Sequence, residues 1–132
     1  MKIAEVSKRY AISADTLRYY ERVGLLRHVP RTDSGVRDYA EADCQRIEFV
    51  KCMRDAGMPI EALSEYLQLF EQGDETAPRR KEILMEQRDL LQQRIAAMQQ
   101  GLDRLNAKID TYDTHMLETE RRMRQAELAD GR

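Results

Sequence analysis

The stretch "DTLRYYERVGLL", residues 15–26, decides how the rest of the chain is read. Within seven residues it places Thr16, Arg18, Tyr19, Tyr20, Glu21 and Arg22, and only Leu17 interrupts them with an apolar group. A helix made only to fill a core would not give so much of its surface to polar and amphipathic side chains. The pattern implies that something outside the chain is read here. Upstream, Ile3, Val6 and Tyr10 fall at i, i+3 and i+7, one face of a short helix. Ser13 is a good N-cap for a second helix, and Asp15 in its first turn suits the helix dipole. That helix is expected to run through Glu21 or Arg22 and to stop at Gly24. Two short helices joined by a few residues predict a helix-turn-helix.

Downstream, "LLRHVPRTDSGVRDY" (residues 25–39) carries Pro30 and the turn signal Asp33-Ser34-Gly35, flanked by Arg31 and Arg37. This predicts a small β-hairpin, a wing, with Pro30 placing one strand at an edge. An arginine on a helix in the major groove can donate two hydrogen bonds to a guanine edge. Threonine and tyrosine hydroxyls can hold phosphates, and wing arginines can grip flanking phosphates. The competing reading is a charged surface helix with two packing tyrosines. Spacing alone does not choose between the two, and the adjoining arginine-bearing hairpin favours nucleic acid.

The net charge of −2 argues against nucleic acid only as a sum. Residues 1–39 hold eight basic and five acidic side chains, a net of +3, while residues 40–77 hold three and nine, a net of −6. The positive charge therefore sits with the opening stretch. Charged residues make up 35% of the chain and apolar ones 42%, which predicts a modest core and long solvated helical faces. No run of 18 apolar residues could span a membrane, and the N-terminal stretch lacks the apolar core of a signal peptide, so a cytoplasmic location is expected. No nucleophile–base set, paired-acid site or phosphate loop is evident, and an enzyme is not expected. His28 and His115 are isolated, so neither a metal site nor a cofactor is expected.

A helix pair follows. "EADCQRIEFVKCMRDAG" turns Ile47 and Val50 inward and ends at Gly57, Pro59 suits the start of the next helix, and Ile60, Leu63, Leu67 and Phe70 give that helix its apolar face. Residues 73–78 break the pattern. Beyond them, Leu84, Leu91, Met98, Leu105 and Tyr112 recur every seven residues, as do Ile95, Leu102, Ile109, Met116 and Met123. This seam predicts one long helix that must find a partner, most simply its own copy. Arg88 and Thr119 interrupt the seam, and Gly101 lies near it. The expected organisation is a DNA-binding domain with helical connector over 1–77, a coiled-coil dimerisation helix over 78–124, and a disordered tail over 125–132.

"IAEVSKRYAISADTLRYYERVGLL", then "RTDSGVRDYAEAD" and "RIEFVKCMRDAGMPIEALSEYL", resemble the MerR family of bacterial transcription regulators. The match lies in Thr-Leu-Arg-Tyr-Tyr-Glu (Thr16 to Glu21), Gly24-Leu25, and Arg31, Gly35, Arg37 and Tyr39 in the wing. It covers residues 2 to about 70 and then the coiled-coil helix. Ala11 departs from the glycine common there, and Ala40 from a capping serine; both bear on local stability. The resemblance implies a mainly α fold: a winged helix-turn-helix with a small β-hairpin wing, plus a long C-terminal helix forming an antiparallel coiled-coil dimer. It implies a homodimer that binds double-stranded promoter DNA at a pseudo-palindrome and acts on RNA polymerase indirectly, by distorting the promoter; no membrane partner is implied. The expected DNA-binding residues are Thr16, Arg18, Tyr19, Tyr20, Arg31, Arg37 and Tyr39.

Cys44 and Cys52 are the only cysteines. On one helix their eight-residue separation places them ~12 Å apart at ~1.5 Å per residue, too far for a disulfide. A free cysteine is usually a small buried hydrophobe. Cys52, however, has Lys51 before it and Arg54 two residues on, and cations favour a thiolate. Its placement is similar to that in the single-cysteine MerR subgroup (the NmlR/AdhR type) that responds to aldehydes and to nitrosative or oxidative stress. That similarity implies Cys52 as a sensor thiol whose adduct would add bulk between the wing-bearing part and the helix pair. Two alternatives stay open: a MerR-type regulator with an inert thiol and another signal, and a coiled-coil adaptor whose N-terminal part binds protein.

Overall fold

The computed structural model describes residues 1–131. Its helices are α1 (Ile3–Tyr10), α2 (Ala14–Arg22), α3 (Glu41–Asp55), α4 (Ile60–Glu71), α5 (Ala77–Asp110) and α6 (Leu117–Ala129). A 3-10 turn at Asp74–Thr76 precedes α5, and a π turn at Tyr112–Met116 separates α5 from α6. Arg132 lies outside the described residues. None of the described helices is long and apolar enough to cross a membrane.

α1 and α2 form the expected helix-turn-helix, and their apolar periodicity explains how they pack. Val6 and Tyr10 of α1 meet Leu17 and Tyr20 of α2 in a core completed by Leu25, Leu26, Val29, Tyr39, Cys44, Ile47 and Val50. Ser13 caps α2 by accepting the Thr16 N–H at 3.1 Å. At the other end Gly24 takes φ 85°. There the Gly24 N–H reaches the Glu21 carbonyl (3.2 Å) and the Leu25 N–H reaches the Tyr20 carbonyl (2.9 Å). This glycine-dependent stop satisfies two helix-end carbonyls and drops Leu25 into the core.

Ala11, which ends α1, adopts φ 54°, ψ 43°. It is the one non-glycine residue of positive φ among the described residues. That backbone region crowds a Cβ at about 1–2 kcal/mol, while glycine's extra chain entropy returns about half of this. Ala11→Gly is therefore expected to stabilise the fold by about 0.5–1 kcal/mol and to raise the Tm by several degrees. Thermal or urea unfolding checks this; an unchanged or lowered midpoint would contradict it. Ala40 at the start of α3 offers no side-chain cap. Only the reverse bond forms, from the Ala40 N–H to Asp43 Oδ2 at 2.8 Å.

The expected two-stranded hairpin is reduced to one isolated antiparallel bridge, Arg31 to Arg37, and no sheet is present among the described residues. The loop is closed by Thr32 N–H to Val36 O (2.7 Å), Gly35 N–H to Thr32 O (2.8 Å) and Asp38 N–H to Pro30 O (2.8 Å). The turn itself consumes residues 32–36, and Pro30 has no N–H to extend the ladder. Beyond the bridge, Tyr39 pairs with Met1 in both directions, donating to its carbonyl at 2.7 Å and accepting from its amino group at 2.8 Å. The loop's end is thereby tied to the entry of α1.

α3 and α4 pack through Ile47, Val50, Leu63 and Leu67, with Met58 filling the turn between them. Ile83 of α5 is buried in the same core. Residues 1–87 form one compact unit and residues from 88 onward a second. The first turns of α5 therefore belong with the N-terminal unit.

In the second unit the single long helix is interrupted. Thr111 and Thr114 turn their hydroxyls back onto the carbonyls of Ala107 (2.9 Å) and Thr111 (3.3 Å). Such back-bonding, in a run of poor helix formers from Thr111 to His115, loosens the α-helical ladder. The tail expected from residue 125 is helical through Ala129. Ile95, Met98, Leu102, Leu105 and Ile109 are all more than half exposed. A Cβ at Gly101 would meet nothing within 4 Å, so no crowding inside the chain calls for that glycine.

Candidate nucleic-acid interface

α2 buries Leu17 and Tyr20 and exposes Asp15, Arg18, Tyr19 and Arg22. Arg18 Nη1 lies 2.9 Å from Asp15 Oδ1, one turn back on the exposed face. Both partners are solvated, so this pair adds little stability and can be exchanged for another acceptor. The Arg22 guanidinium sits over the Tyr19 ring at 5.2 Å. Thr16 is half-buried and bonded to Ser13, hydroxyl to hydroxyl, at 2.8 Å.

Glu21 organises the site, a role the sequence reading did not assign to it. Its carboxylate is almost fully buried and takes Arg37 Nε at 3.1 Å and Arg31 Nη2 at 3.7 Å. Both loop arginines are thus braced against the end of α2. A buried carboxylate needs such partners, because unpaired it would be strongly destabilising. The bracing pre-sets the loop's cations beside the exposed face of α2, with Arg31 on the surface and Arg37 half-buried.

Tyr20 and Tyr39, both expected to contact DNA, have their rings in the core. Tyr20 packs beside Leu17. Tyr39 is 3% exposed, and its hydroxyl is buried with no hydrogen-bond partner among the described residues. Burial pushes the Tyr39 phenol above its usual range. The structure therefore brings Thr16, Arg18, Tyr19, Arg31 and Arg37 to one place, with Tyr20 and Tyr39 packed in the core beneath.

Both cysteines lie on α3, on different faces. Cys44 is buried beside Tyr10, whose phenol is raised by burial and by the hydrogen bond it shares with Cys44. Cys52 is exposed, so the small-buried-hydrophobe reading applies to Cys44 and not to Cys52. An adduct on Cys52 would meet solvent in this chain, which removes the expected wedge between the wing-bearing part and the helix pair. The cations beside it are engaged elsewhere: Lys51 pairs with Asp55 at 3.2 Å, and Arg54 Nη1 donates to the Met58 carbonyl at 2.7 Å.

Comparison with known proteins places the fold in a family. Residues 1–69 match the family described as "MerR HTH family regulatory protein", and residues 44–108 match "MerR, DNA binding". The chain is 57% identical over 91 residues to the HTH-type transcriptional regulator AdhR of Bacillus subtilis, an alignment spanning 69% of this chain and 65% of that protein. Under two thirds of that relative's length is therefore matched. A MerR family transcriptional regulator from Listeria monocytogenes superposes with a TM-score of 0.75 at 44% identity, covering 98% of each chain. HiNmlR, a MerR family regulator lacking the sensor domain and bound to promoter DNA, superposes with a TM-score of 0.69 at 28% identity. That superposition covers 88% of this chain and 92% of that one.

Proposed function

The chain belongs to the MerR family of helix-turn-helix regulatory proteins and is a transcription regulator of that type, and we propose that it reads a pseudo-palindromic promoter operator as a homodimer and answers reactive electrophiles through Cys52. The observation that carries the DNA reading is the exposed face of α2 set beside two loop arginines that Glu21 holds in place. In this reading Arg18 contacts base edges, while Thr16, Tyr19, Arg31 and Arg37 hold phosphates and so fix register and orientation. The loop serves as the wing, and Tyr20 and Tyr39 support α2 from beneath. Residues 1–77 carry DNA binding, and the helix that follows carries the dimer. Bound DNA is bent and untwisted at an overlong promoter spacer, so contact energy is exchanged for deformation. The relative bound to promoter DNA among the structural neighbours supports promoter binding.

Exposure of Cys52 supports the sensor role, since reactive thiols are accessible ones whereas structural cysteines are buried and inert. The similarity to AdhR supports stress-responsive regulation in the broader sense. In a strain carrying a reporter on the target promoter, Cys52→Ala is expected to bind the operator like the wild type but not to induce with formaldehyde or methylglyoxal. Cys44→Ala should stay inducible, and mass spectrometry should place the adduct on Cys52. Full induction by Cys52→Ala, or an adduct on Cys44 alone, would leave a MerR-type regulator with a different signal.

A further inference from the structure

The end of α4 and the starts of α3 and α5 enclose a cleft of about 450 Å³ that none of the DNA-directed residues enters. We propose that this cleft is a second binding site, for a small planar aromatic anion. Its walls are Phe49, Tyr66 and Phe70, and its cations are Arg27, Arg46 and Arg80. Phe49 and Tyr66 stack at 5.5 Å with a 28° tilt, and the Arg80 guanidinium lies over the Phe70 ring at 5.8 Å. Phe70 continues the apolar row of α4 yet is 51% exposed, so it faces the opening rather than the core. Aromatic walls with a few placed cations, in a volume of this size, suit a small ligand with one flat face and one charged end.

The cleft already holds one carboxylate. Arg46 Nη1 binds Glu71 Oε1 at 2.5 Å, and Glu71 is half exposed at the rim. A ligand carboxylate would take the place of Glu71, and Arg27, whose nearest acid Asp43 is 3.9 Å away, has donors to offer it. Arg46 Nε also donates to the Leu25 carbonyl at 2.9 Å, directly after the stop of α2. An occupant gripping Arg46 thus touches the side chain that holds the end of the proposed recognition helix.

The test is isothermal titration of the 132-residue chain with 2-naphthoate, and with neutral 2-naphthalenemethanol as control. Saturable binding of one naphthoate per chain is expected, about tenfold or more tighter than the alcohol, as loss of one charge-assisted contact implies. Arg27→Gln should weaken naphthoate binding several-fold. Glu71→Gln, by removing the competing carboxylate, should tighten it, an outcome that general loss of structure cannot produce; circular dichroism confirms folding of both variants. No saturable binding, equal affinity for the alcohol, or indifference to Glu71→Gln would overturn the proposal. So would a cleft closed by a second copy, seen as Phe70→Ser shifting the sedimentation coefficient while naphthoate fails to bind.

Discussion

Leu102→Asp is expected to give a folded N-terminal unit that no longer dimerises and no longer holds the operator. Leu102 sits mid-seam on α5 and is 51% exposed in the single chain, amid Ile95, Met98, Leu105 and Ile109, which are exposed to a similar or greater degree. Each such side chain contributes about 1.5–3 kcal/mol when fully buried. A carboxylate in that seam loses its hydration without gaining a partner. The core of residues 1–87 does not include this position, so its helices should survive. Sedimentation should show the wild type at twice the chain mass at micromolar concentration and the variant at the chain mass. Two linked half-sites multiply their affinities, so operator affinity should fall by roughly two orders of magnitude or more. A wild type that sediments as a stable folded monomer would sink the dimer.

Arg18→Ala is the second large effect. Arg18 is exposed, its one close partner is the solvated Asp15, and no core residue depends on it. Its loss should leave stability nearly unchanged while costing about 1–3 kcal/mol of operator binding and relaxing preference at one base pair per half-site. Arg37→Ala should behave differently. It should weaken all sequences to a similar extent and flatten the salt dependence by about one phosphate's worth. It should also release Glu21 from its nearer guanidinium at 3.1 Å. Retention of full operator discrimination by Arg18→Ala, in a titration against single-base operator variants, would remove Arg18 as the base reader.

Much of the fold was legible in local pattern. The i, i+3, i+7 row of Ile3, Val6 and Tyr10, the cap at Ser13 and the stop at Gly24 are signals within a few residues of the features they set, and α1 and α2 follow them. The left-handed Ala11 was legible as a departure from glycine in the resemblance, and its φ of 54° gives the physical reason. Tyrosine was where pattern left the placement of the ring open. Its ring suits a core and its hydroxyl suits a phosphate, so Tyr20 and Tyr39 read equally well as surface groups until their neighbours from α1, α3 and the loop are in place. The role of Glu21 depends on Arg31 and Arg37, ten and sixteen residues away, and no periodicity links them. Heptad spacing carried the reading straight through Thr111 to His115, because the rule counts apolar residues and ignores threonine hydroxyls that bond back to the chain. The cleft draws Arg27, Arg46, Tyr66 and Arg80 from four separate segments, a constellation only tertiary packing makes.

The measurement that bears most directly on the central claim is the affinity of the wild type for its promoter fragment across a series of salt concentrations, with a hydroxyl-radical footprint on the same DNA. Recognition by α2 with phosphates held from the loop predicts a two-fold symmetric footprint and a log–log salt slope of several units, each phosphate contact contributing about −0.9. A flat slope without protection, beside tight binding to a protein, would contradict the account and make the chain an adaptor.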